Sequence, residues 1–427
     1  MAFLASLFVL SFVFPFIFWP IVGLLGVFTF IFWADFFYLF IKKQKIVCQR
    51  IVPEILPLGD NTTVELQILN LTGFTIYSKI IDELPIQFQK RDFNVRLALK
   101  NKERKEISYP IRPTKRGIYK FGDIHIFVSS IIGLIEKRHS FALTKNVAVY
   151  PSILQMKQQE LKLQKKLFLF TGIKKLRRIG HSYEFEQIRN YQIGDDIRCI
   201  NWKATSKRNT LMVNQFGDEK SQQIYSVLDM SRVMLMPFNG LSLLDYAVNS
   251  SLVIANTALI KYDKAGIISF SEKFGSIVKA DSKPTQLKTI LETLYRVEES
   301  SLEANYEILY QAIKQFINQR SLIILYTNFE SYYSLERVLP IFRKINQMHL
   351  LMVVFFKNTE IADYSYQSAV DTEDIYQKTI GKKFLMDKEK IAKELSMHGI
   401  QCLLTAPEDL STNTLNKYLE FKAKGWI

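Results

Sequence analysis

The sequence predicts a multidomain fold class: an N-terminal transmembrane helical hairpin, an all-β immunoglobulin-like sandwich and a C-terminal α/β domain of the Rossmann-type, doubly wound kind. Three patterns predict it. Residues 1–34 carry no charge, residues 51–150 alternate with a period of two, and apolar strands alternate with amphipathic helices after residue 221. The predicted boundaries are 1–43 for the hairpin, 44–152 for the sandwich, 153–178 for a basic linker, 179–220 for a charged and aromatic segment, and 221–427 for the α/β domain.

The N-terminal stretch is long enough for two membrane spans. A bilayer core of about 30 Å needs roughly 20 helical residues, and residues 3–19 and 21–41 supply two short apolar segments that meet between Pro15 and Pro20. One long tilted helix and a cleaved signal peptide are the alternatives, but the basic region and the cleavage site of a signal peptide are missing. Asp35 lies near the end of the second span, which predicts a solvated carboxylate at the membrane interface.

Basic residues follow the second span and set its orientation. By the positive-inside rule this end lies in the cytoplasm, because the next charged residues are Lys42, Lys43, Lys45 and Arg50. The whole chain has 56 Lys and Arg against 41 Asp and Glu, a formal charge of +15, which predicts an anionic neighbour such as a lipid surface. Nucleic acid is the other candidate, but the basic linker carries no binding motif. Three scattered cysteines without CxxC spacing indicate neither a disulfide framework nor a zinc cluster.

Residues 51–150 are typical of a small antiparallel sandwich. Alternating segments predict strands over 64–68, 93–97, 107–111 and 124–126. Turn residues separate them at 59–61, 115–117 and 122–123. Short strands at this spacing favour the immunoglobulin-like type.

The C-terminal half is typical of a parallel sheet covered on both faces. Strands are predicted over 224–229, 265–270, 275–278, 321–326, 350–356 and 401–404, and helices over 241–262, 286–297, 306–318, 335–346, 371–398 and 412–424. Continuous apolar strands between amphipathic helices form such sheets. Their ligands bind at the carboxyl ends of the strands, where the strand order switches.

One segment, 177–208, interleaves acids and bases with large apolar residues. From Gly180 to Thr205 it reads G-x-x-x-E-F-x-x-x-R-x-Y-x-x-G-D-D-x-R-x-I-N-W-K-A-T. This pattern resembles the signature of the bacterial family catalogued as domain of unknown function 58. The resemblance implies two N-terminal membrane helices, a β-rich domain, a von Willebrand factor A-like C-terminal domain, and a MoxR-type AAA+ ATPase as partner. Together with the positive-inside rule it predicts a multi-pass protein of the bacterial inner (cytoplasmic) membrane with its soluble domains in the cytoplasm. It implies no particular reaction.

The same segment supplies the candidate partner-binding residues, which are Glu184, Arg189, Tyr191, Asp195, Arg198, Asn201 and Trp202. In one interpretation their charges recognise a partner through charge-assisted hydrogen bonds while Tyr191 and Trp202 anchor it. In the other, they brace the segment internally, with Asp195 paired to Arg189 or Arg198. Large aromatic residues mostly pack inside, which favours a buried Trp202 and Phe185. For the charged residues both interpretations stay open.

The end of the first α/β strand is the candidate metal site. The resemblance implies Asp-x-Ser-x-Ser there, but the chain has Asp229, Ser231 and then Val233. It also implies an acid after the strand that ends at Tyr326, where the chain has Asn328. Because Mg²⁺ demands a near-octahedral set of oxygens, Asp229, Ser231 and Asn328 form at most a degenerate magnesium site, which we expect to hold no metal. Such a rim could meet a partner through hydrogen bonds; in the alternative, Asp229 and Ser231 cap the next turn. No cofactor is predicted.

Catalytic patterns are missing from the sequence. It has five His and no HExxH, GxSxG or P-loop pattern, so we expect no enzymatic activity. The expected function is a membrane-anchored, cytoplasm-facing adaptor or scaffold that binds protein partners. The alternatives are a membrane-bound hydrolase using Glu184 and Asp195 as acid and base, and binding of an anionic polymer or nucleic acid through the basic linker. The oligomeric state is open.

Overall fold

The computed structural model describes residues 14, 18–40, 45–90, 93–158, 160–161, 179–217, 221–368 and 371–426. For 179–186 and 215–217 it describes the backbone alone. The chain divides into two compact units, Met1–Tyr150 and Pro151–Ile427. The predicted basic linker is helical over 153–158 and lies outside the described residues over 162–178.

One long apolar helix, α1 (Phe18–Phe40), opens the described part of the first unit. Its 23 residues extend over about 35 Å at 1.5 Å per residue, which is enough to cross a bilayer core. Most of its side chains are exposed, among them Phe30. The predicted second span is thereby confirmed as a helix. The predicted first span, 3–19, lies almost entirely outside the described residues, so the hairpin stays a prediction.

Asp35 of α1 is buried rather than solvated, which corrects the prediction. The residue is 1% exposed. Its Oδ2 accepts hydrogen bonds from the backbone N–H groups of Leu134 (3.2 Å) and Ile135 (3.1 Å). A carboxylate that leaves water needs such donors, and these come from a distant part of the chain that the local sequence around Asp35 does not indicate.

Ten strands follow α1 in the described part of the first unit. They are β1 (Ile46–Ile51), β2 (Ile55–Pro57), β3 (Thr62–Asn70), β4 (Ile76–Asp82), β5 (Asn94–Leu99), β6 (Arg104–Ile111), β7 (Gly117–Phe121), β8 (Ile124–Ser129), β9 (Glu136–Phe141) and β10 (Lys145–Tyr150). They form three sheets, with orders β1-β3-β6, β2-β10-β7 and β5-β4-β8-β9. Of these strand pairs, β2 with β10 is parallel and the others are antiparallel. The predicted β-rich region is confirmed.

A buried ion pair connects two of these sheets. Arg50 of β1 pairs with Asp82 of β4, and their side chains are 2% and 0% exposed. Tyr109 of β6 donates its hydroxyl proton to Asp82 Oδ2 at 2.5 Å. Arg50 also donates to the carbonyl oxygens of Gly122 (3.1 Å) and Leu143 (3.0 Å). The guanidinium is therefore satisfied only while the strands and loops around it stay assembled.

The second unit contains ten strands and eight helices with described bounds. The strands are β11 (Ile179–Asn190), β12 (Met212–Gly217), β13 (Gln223–Asp229), β14 (Pro237–Phe238), β15 (Leu241–Ser242), β16 (Lys264–Phe270), β17 (Phe274–Asp281), β18 (Leu322–Tyr326), β19 (Leu350–Phe356) and β20 (Gln401–Thr405). The helices are α2 (Trp202–Arg208), α3 (Leu243–Ile260), α4 (Gln286–Tyr295), α5 (Tyr306–Phe316), α6 (Tyr332–Met348), α7 (Thr359–Tyr366), α8 (Thr372–Met397) and α9 (Leu410–Lys424).

A six-stranded sheet organises the second unit, with the order β17-β16-β13-β18-β19-β20. All its pairs are parallel except β16 with β17. Numbered within the sheet the order is 3-2-1-4-5-6, that of doubly wound folds. One core packs α3, α4 and α9 on one face, and another packs α5, α6 and α8 on the other.

The predicted α/β region is confirmed, and one helix was missed. The sequence does not indicate α7 because Ser365 is its one buried residue, so the helix has no apolar stripe. Helix α3 is also apolar and long enough to cross a membrane, but it is mostly buried in the core of this unit.

We expect Asp82→Asn to destabilise the first unit by about 3–5 kcal/mol, because it leaves Arg50 buried without a counter-charge. Cys48 of β1 is buried, and this burial raises the pKa of its thiol to about 12. Its alkylation therefore reports opening of the sheet. The rate of Cys48 alkylation, followed by peptide mass spectrometry on the full chain, is expected to rise on the order of 10²–10⁴-fold.

Glu106→Gln is the matched control for this experiment. Glu106 pairs with Arg104 at 3.3 Å, and both side chains are more than half exposed. Loss of such a pair costs at most about 1 kcal/mol. Similar alkylation rates in Asp82→Asn and Glu106→Gln would show that the buried pair does not hold the sheets together.

Candidate functional site

The candidate partner-binding residues lie on a two-stranded frame and the excursion that it carries. Strands β11 and β12 pair antiparallel, with Arg189 opposite Val213 and Asn190 opposite Met212. The chain between them, 191–211, forms a turn, a 3-10 helix (Ile197–Cys199) and α2. We call 191–211 the excursion. Because both of its ends are fixed by one strand pair, its residues are held close to each other.

A bidentate ion pair closes the first turn of the excursion. Arg189 donates from Nη1 to Asp195 Oδ2 (2.7 Å) and from Nη2 to Asp195 Oδ1 (2.5 Å). The backbone N–H of Gln192 donates to the same carboxylate at 2.8 Å. The hydrogen bond from Arg189, followed by that from Gln192, holds the pKa of Asp195 below its usual value. The Asp195 carboxylate therefore serves as a hydrogen-bond acceptor within this turn.

Asn201 fixes the second part of the excursion. Its Oδ1 accepts the N–H of Ala204 at 3.0 Å and so caps the start of α2. Its Nδ2 donates to Asn214 Oδ1 of β12 at 2.8 Å, and its own N–H donates to the Met212 carbonyl at 2.8 Å. One side chain thus connects the helix to the frame.

Three large apolar side chains of the excursion are more than two-thirds exposed. Ile193 is fully exposed, Ile197 is 70% exposed and Trp202 is 68% exposed. The prediction that Trp202 packs inside is wrong, because the excursion is too short to enclose an indole ring at the first residue of α2. Between 197 and 217 the sequence has four basic residues and no Asp or Glu. All four are exposed: Arg198, Lys203, Lys207 and Arg208.

The second candidate location is the crevice between β13 and β18, where the strand order of the sheet switches. Asp229 ends β13 and is 0% exposed. It accepts three hydrogen bonds, from the Ser231 N–H (2.9 Å), the Thr327 hydroxyl (2.7 Å) and the Tyr306 hydroxyl (3.2 Å). Burial, more than any other cause, raises the pKa of Asp229. The carboxylate is directed into the protein.

Asn328 lies in the same crevice and contacts a buried lysine. Lys388 of α8 is 2% exposed and donates from Nζ to Asn328 Oδ1. The amide of Asn328 donates in turn to the Val233 carbonyl at 3.3 Å. The ammonium also lies 5.1 Å from the centre of the Phe384 ring. The adjoining cavity has about 10 Å³, which is room for about one water molecule.

Comparison with known proteins finds a family whose model matches part of the chain. Residues 187–380 match the model of the family described as protein of unknown function DUF58. This match, which covers a little under half of the chain, supports assignment to the DUF58 family. The uncharacterized protein YeaD of Bacillus subtilis (strain 168) is 27% identical over 125 residues, and the match covers 29% of this chain and 30% of YeaD. This chain therefore matches less than a third of that relative's length.

Solved structures resemble part of this chain weakly. The CARDB domain of PF1109 from Pyrococcus furiosus is 19% identical, with a TM-score of 0.19, and the match covers 25% of this chain and 88% of that one. A PapD-like domain of human CEP192 is 9% identical, with a TM-score of 0.20, and the match covers 25% and 87% of the two chains. TM-scores this low carry no argument.

The DUF58 signature residues divide between internal bracing and the surface. Arg189 and Asp195 bind each other, and Asn201 caps α2, so these three brace the excursion. Trp202 and Arg198 are exposed, and Tyr191 is half-buried. For Glu184 the backbone lies in β11, and its side chain lies outside the described part of the structure.

The residues predicted to form a degenerate magnesium site do not fit Mg²⁺. A magnesium ion needs an open, near-octahedral set of oxygens and keeps several waters. Asp229 is enclosed and accepts three protein hydrogen bonds, while Asn328 Oδ1 accepts from the Lys388 ammonium. Among the described residues, no group of three or more His, Cys, Asp or Glu side chains is placed to hold a metal ion.

Sequence reasoning missed Lys388 and Tyr306. A signal for Lys388 exists, because Leu385, Ile391 and Leu395 form the buried stripe of α8 at helical spacing and Lys388 falls on that stripe. A lysine on an apolar stripe predicts a buried ammonium. Tyr306 has no comparable signal, since its hydroxyl reaches Asp229 only in the folded sheet.

We expect Lys388→Met to remove a pH-dependent contribution to stability. Burial lowers the pKa of Lys388 to about 7 from 10.5, so between pH 7 and 10.5 the folded protein binds fewer protons than the unfolded one. This residue therefore makes the protein more stable as pH rises through that window. We compare the free energy of unfolding of Lys388→Met with that of wild type. The difference in favour of the variant is expected to decrease by as much as about 4 kcal/mol between pH 7 and pH 10.

Urea unfolding of the full chain in detergent at the two pH values checks this prediction. Lys383→Met is the control, because Lys383 is exposed on the same helix. It should leave the pH dependence of wild type unchanged. A Lys388→Met variant with the wild-type pH dependence would mean that the amine is not buried.

Proposed function

We propose that this DUF58 protein is a membrane-anchored, cytoplasm-facing scaffold that binds a protein partner through the excursion and catalyses no reaction. The partner we propose is a MoxR-type AAA+ ATPase, as the family resemblance implies. The observation that carries the proposal is the outward position of Ile193, Ile197 and Trp202 on an excursion whose ion pair and cap are satisfied internally.

Helix α1 supports the membrane anchor. It is apolar, long enough to cross the bilayer core and exposed along most of its length. The basic residues Lys42, Lys43, Lys45 and Arg50 follow it in the sequence. Their position supports a cytoplasmic location for the β-rich region and the α/β region.

The exposed residues of the excursion support binding of an acidic protein surface. Binding energy at interfaces concentrates in a few large side chains, and Trp is the most enriched of these. Around Trp202, the basic residues Arg198, Lys203, Lys207 and Arg208 have no acidic neighbour in the sequence from 197 to 217. Charges of one sign steer and orient a partner of the opposite sign. An acidic face of the ATPase meets both requirements.

The crevice supports binding without a metal. We assign the α/β region to the von Willebrand factor A-like type on its 3-2-1-4-5-6 strand order and on the family resemblance. In this chain the position implied for Mg²⁺ has enclosed side chains and the Lys388 ammonium. We therefore propose that the excursion binds the partner and that no metal in the crevice takes part.

The geometry of Asp195 weighs against the hydrolase alternative. An acid/base catalyst needs a carboxyl group that exchanges a proton near neutral pH. Asp195 is held by Arg189 and by the Gln192 N–H, and its pKa is lowered as a result. It is therefore a poor general acid.

Trp202→Ala is expected to weaken binding of the MoxR-type ATPase by at least about 30-fold, the effect of a hot-spot residue of about 2 kcal/mol. Because Trp202 is 68% exposed, the substitution should leave folding intact. The measurement is the dissociation constant of the detergent-solubilised full chain for the ATPase in the presence of ATP.

Tyr333→Ala is the matched control for the binding experiment. Tyr333 is an aromatic residue of α6, outside the excursion, and it is 80% exposed. Its substitution should leave the dissociation constant unchanged. Equal affinity of wild type, Trp202→Ala and Tyr333→Ala would exclude the excursion as the docking surface, and absence of binding by wild type would exclude this partner.

A further inference from the structure

The loop that joins β8 to β9, Ser130–Ile135, lies against the last turns of α1. Asp35 of α1 accepts the N–H groups of Leu134 and Ile135 at 3.2 and 3.1 Å. A cleft of about 420 Å³ separates the helix from the rest of the loop. Its lining residues are Ala34, Asp35, Tyr38, Thr75, Ser130, Ile131 and Ile132. We call 130–135 the β8–β9 loop.

The β8–β9 loop is apolar and exposed. Ile131 is 78% exposed, and Ile132 and Leu134 are 49% and 42% exposed. The sequence has no Lys, Arg, Asp or Glu between Asp123 and Glu136. Exposed apolar side chains concentrated in one uncharged loop mark a surface that is covered by something apolar.

Backbone N–H groups of this loop already have hydrogen-bond acceptors within the protein and so do not depend on water. Four consecutive N–H groups have side-chain acceptors. Ser130 Oγ accepts from Ile132 (3.0 Å) and Gly133 (3.4 Å), and Asp35 accepts from Leu134 and Ile135. An irregular backbone is tolerated at membrane depth only when its polar groups are satisfied by protein. This loop meets that condition at these four positions.

The contact between Asp35 and the β8–β9 loop lies at a depth along α1 that matches the membrane interface. Asp35 lies five residues before the end of α1, which is about 7.5 Å along the helix axis. At that end Lys137 donates to the Leu39 carbonyl at 3.3 Å and lies 4.8 Å from the centre of the Phe40 ring. A lysine beside aromatic rings is typical of the headgroup level. The loop beside Asp35 then lies at the boundary of headgroups and acyl chains, where apolar side chains partition.

We infer that the β8–β9 loop inserts into the bilayer beside α1 and forms a second membrane contact, with Asp35 as its positioning residue. The inference rests on the proposed membrane anchoring of α1. The occupant of the apolar surface is lipid, because the surface is continuous with the lipid-facing helix and carries no charge.

Nitroxide labels on the full chain, in vesicles of phosphatidylethanolamine and phosphatidylglycerol, test the inference. The background is Cys199→Ser with Cys402→Ser, and Cys48 stays because it is buried and its thiol pKa is raised to about 12. Ile131→Cys carries the label at the loop. Ile86→Cys is the matched control, since Ile86 is 83% exposed and follows the opposite end of β4, about 20 Å away along the strand.

The readout is the ratio of collision rates with oxygen, which enters lipid, and with a water-soluble nickel chelate. We expect the ratio at position 131 to exceed that at position 86 by about ten-fold, as for a side chain below the headgroups. A label at 131 that meets the nickel chelate as often as the label at 86 overturns the inference. So does a label at 131 that is shielded from both reagents, because protein then covers the loop.

A third label separates failure of the loop from failure of the anchor. Phe30→Cys places the nitroxide on an exposed position near the middle of α1. If position 30 is in lipid and position 131 is in water, the loop inference alone fails. If position 30 is in water, the proposed membrane anchoring of α1 is wrong, and the inference about the loop is wrong as well.

Asp35 variants test the positioning role. Asp35→Ala removes the acceptor for two N–H groups, so we expect greater mobility of the label at 131 and a several-fold lower oxygen-to-nickel ratio. Asp35→Asn keeps one acceptor oxygen and should retain most of the ratio. The label at position 86 should not respond to either change. Unchanged values at 131 in Asp35→Ala overturn the role assigned to Asp35.

Discussion

The bidentate pair between Arg189 and Asp195 determines the path of the chain between β11 and β12, and the exposed groups of the excursion depend on that path. A planar guanidinium facing a carboxylate makes two parallel hydrogen bonds and so fixes direction as well as distance. Gly194, at a φ of +105°, provides the backbone conformation that returns Asp195 to the strand. The hydrophobic residues that follow are then presented outward by a turn that has little freedom.

The signature contains many residue types because some of its residues brace the excursion internally and others are exposed on its surface. Charged and amide side chains hold the excursion to the strand pair, as the contacts of Arg189, Asp195 and Asn201 show. Apolar and basic side chains remain exposed. The crevice of the sheet, which serves as the ligand site in many doubly wound folds, is closed here by Tyr306, Thr327 and Lys388.

Periodicity predicted the secondary structure well because it records which face of an element is buried. Helices α4 to α6 and the alternating strands β3 and β8 follow such patterns, whereas α7 lacks an apolar stripe and was missed. The central strands of the large sheet are buried on both faces and were predicted from continuous apolar runs. Periodicity does not identify the partner of a polar group. The donors to Asp35 lie about 100 positions away, and two of the three donors to Asp229 lie 77 and 98 positions away, where its neighbours in sequence give no sign of them. The general tendency of aromatic residues to be buried likewise failed for Trp202, which lies on an excursion without a core of its own.

The contact between Asp35 and the β8–β9 loop imposes an order on biogenesis. The two N–H groups that donate to Asp35 Oδ2 are 99 and 100 residues further along the chain, which a ribosome translates in roughly 5–20 s. During that interval α1 carries an acid whose partners do not yet exist. The packing of α1 against the β8–β9 loop can therefore form only after the following β-rich region has been made, so it is a late event in the folding of this unit and not its first step.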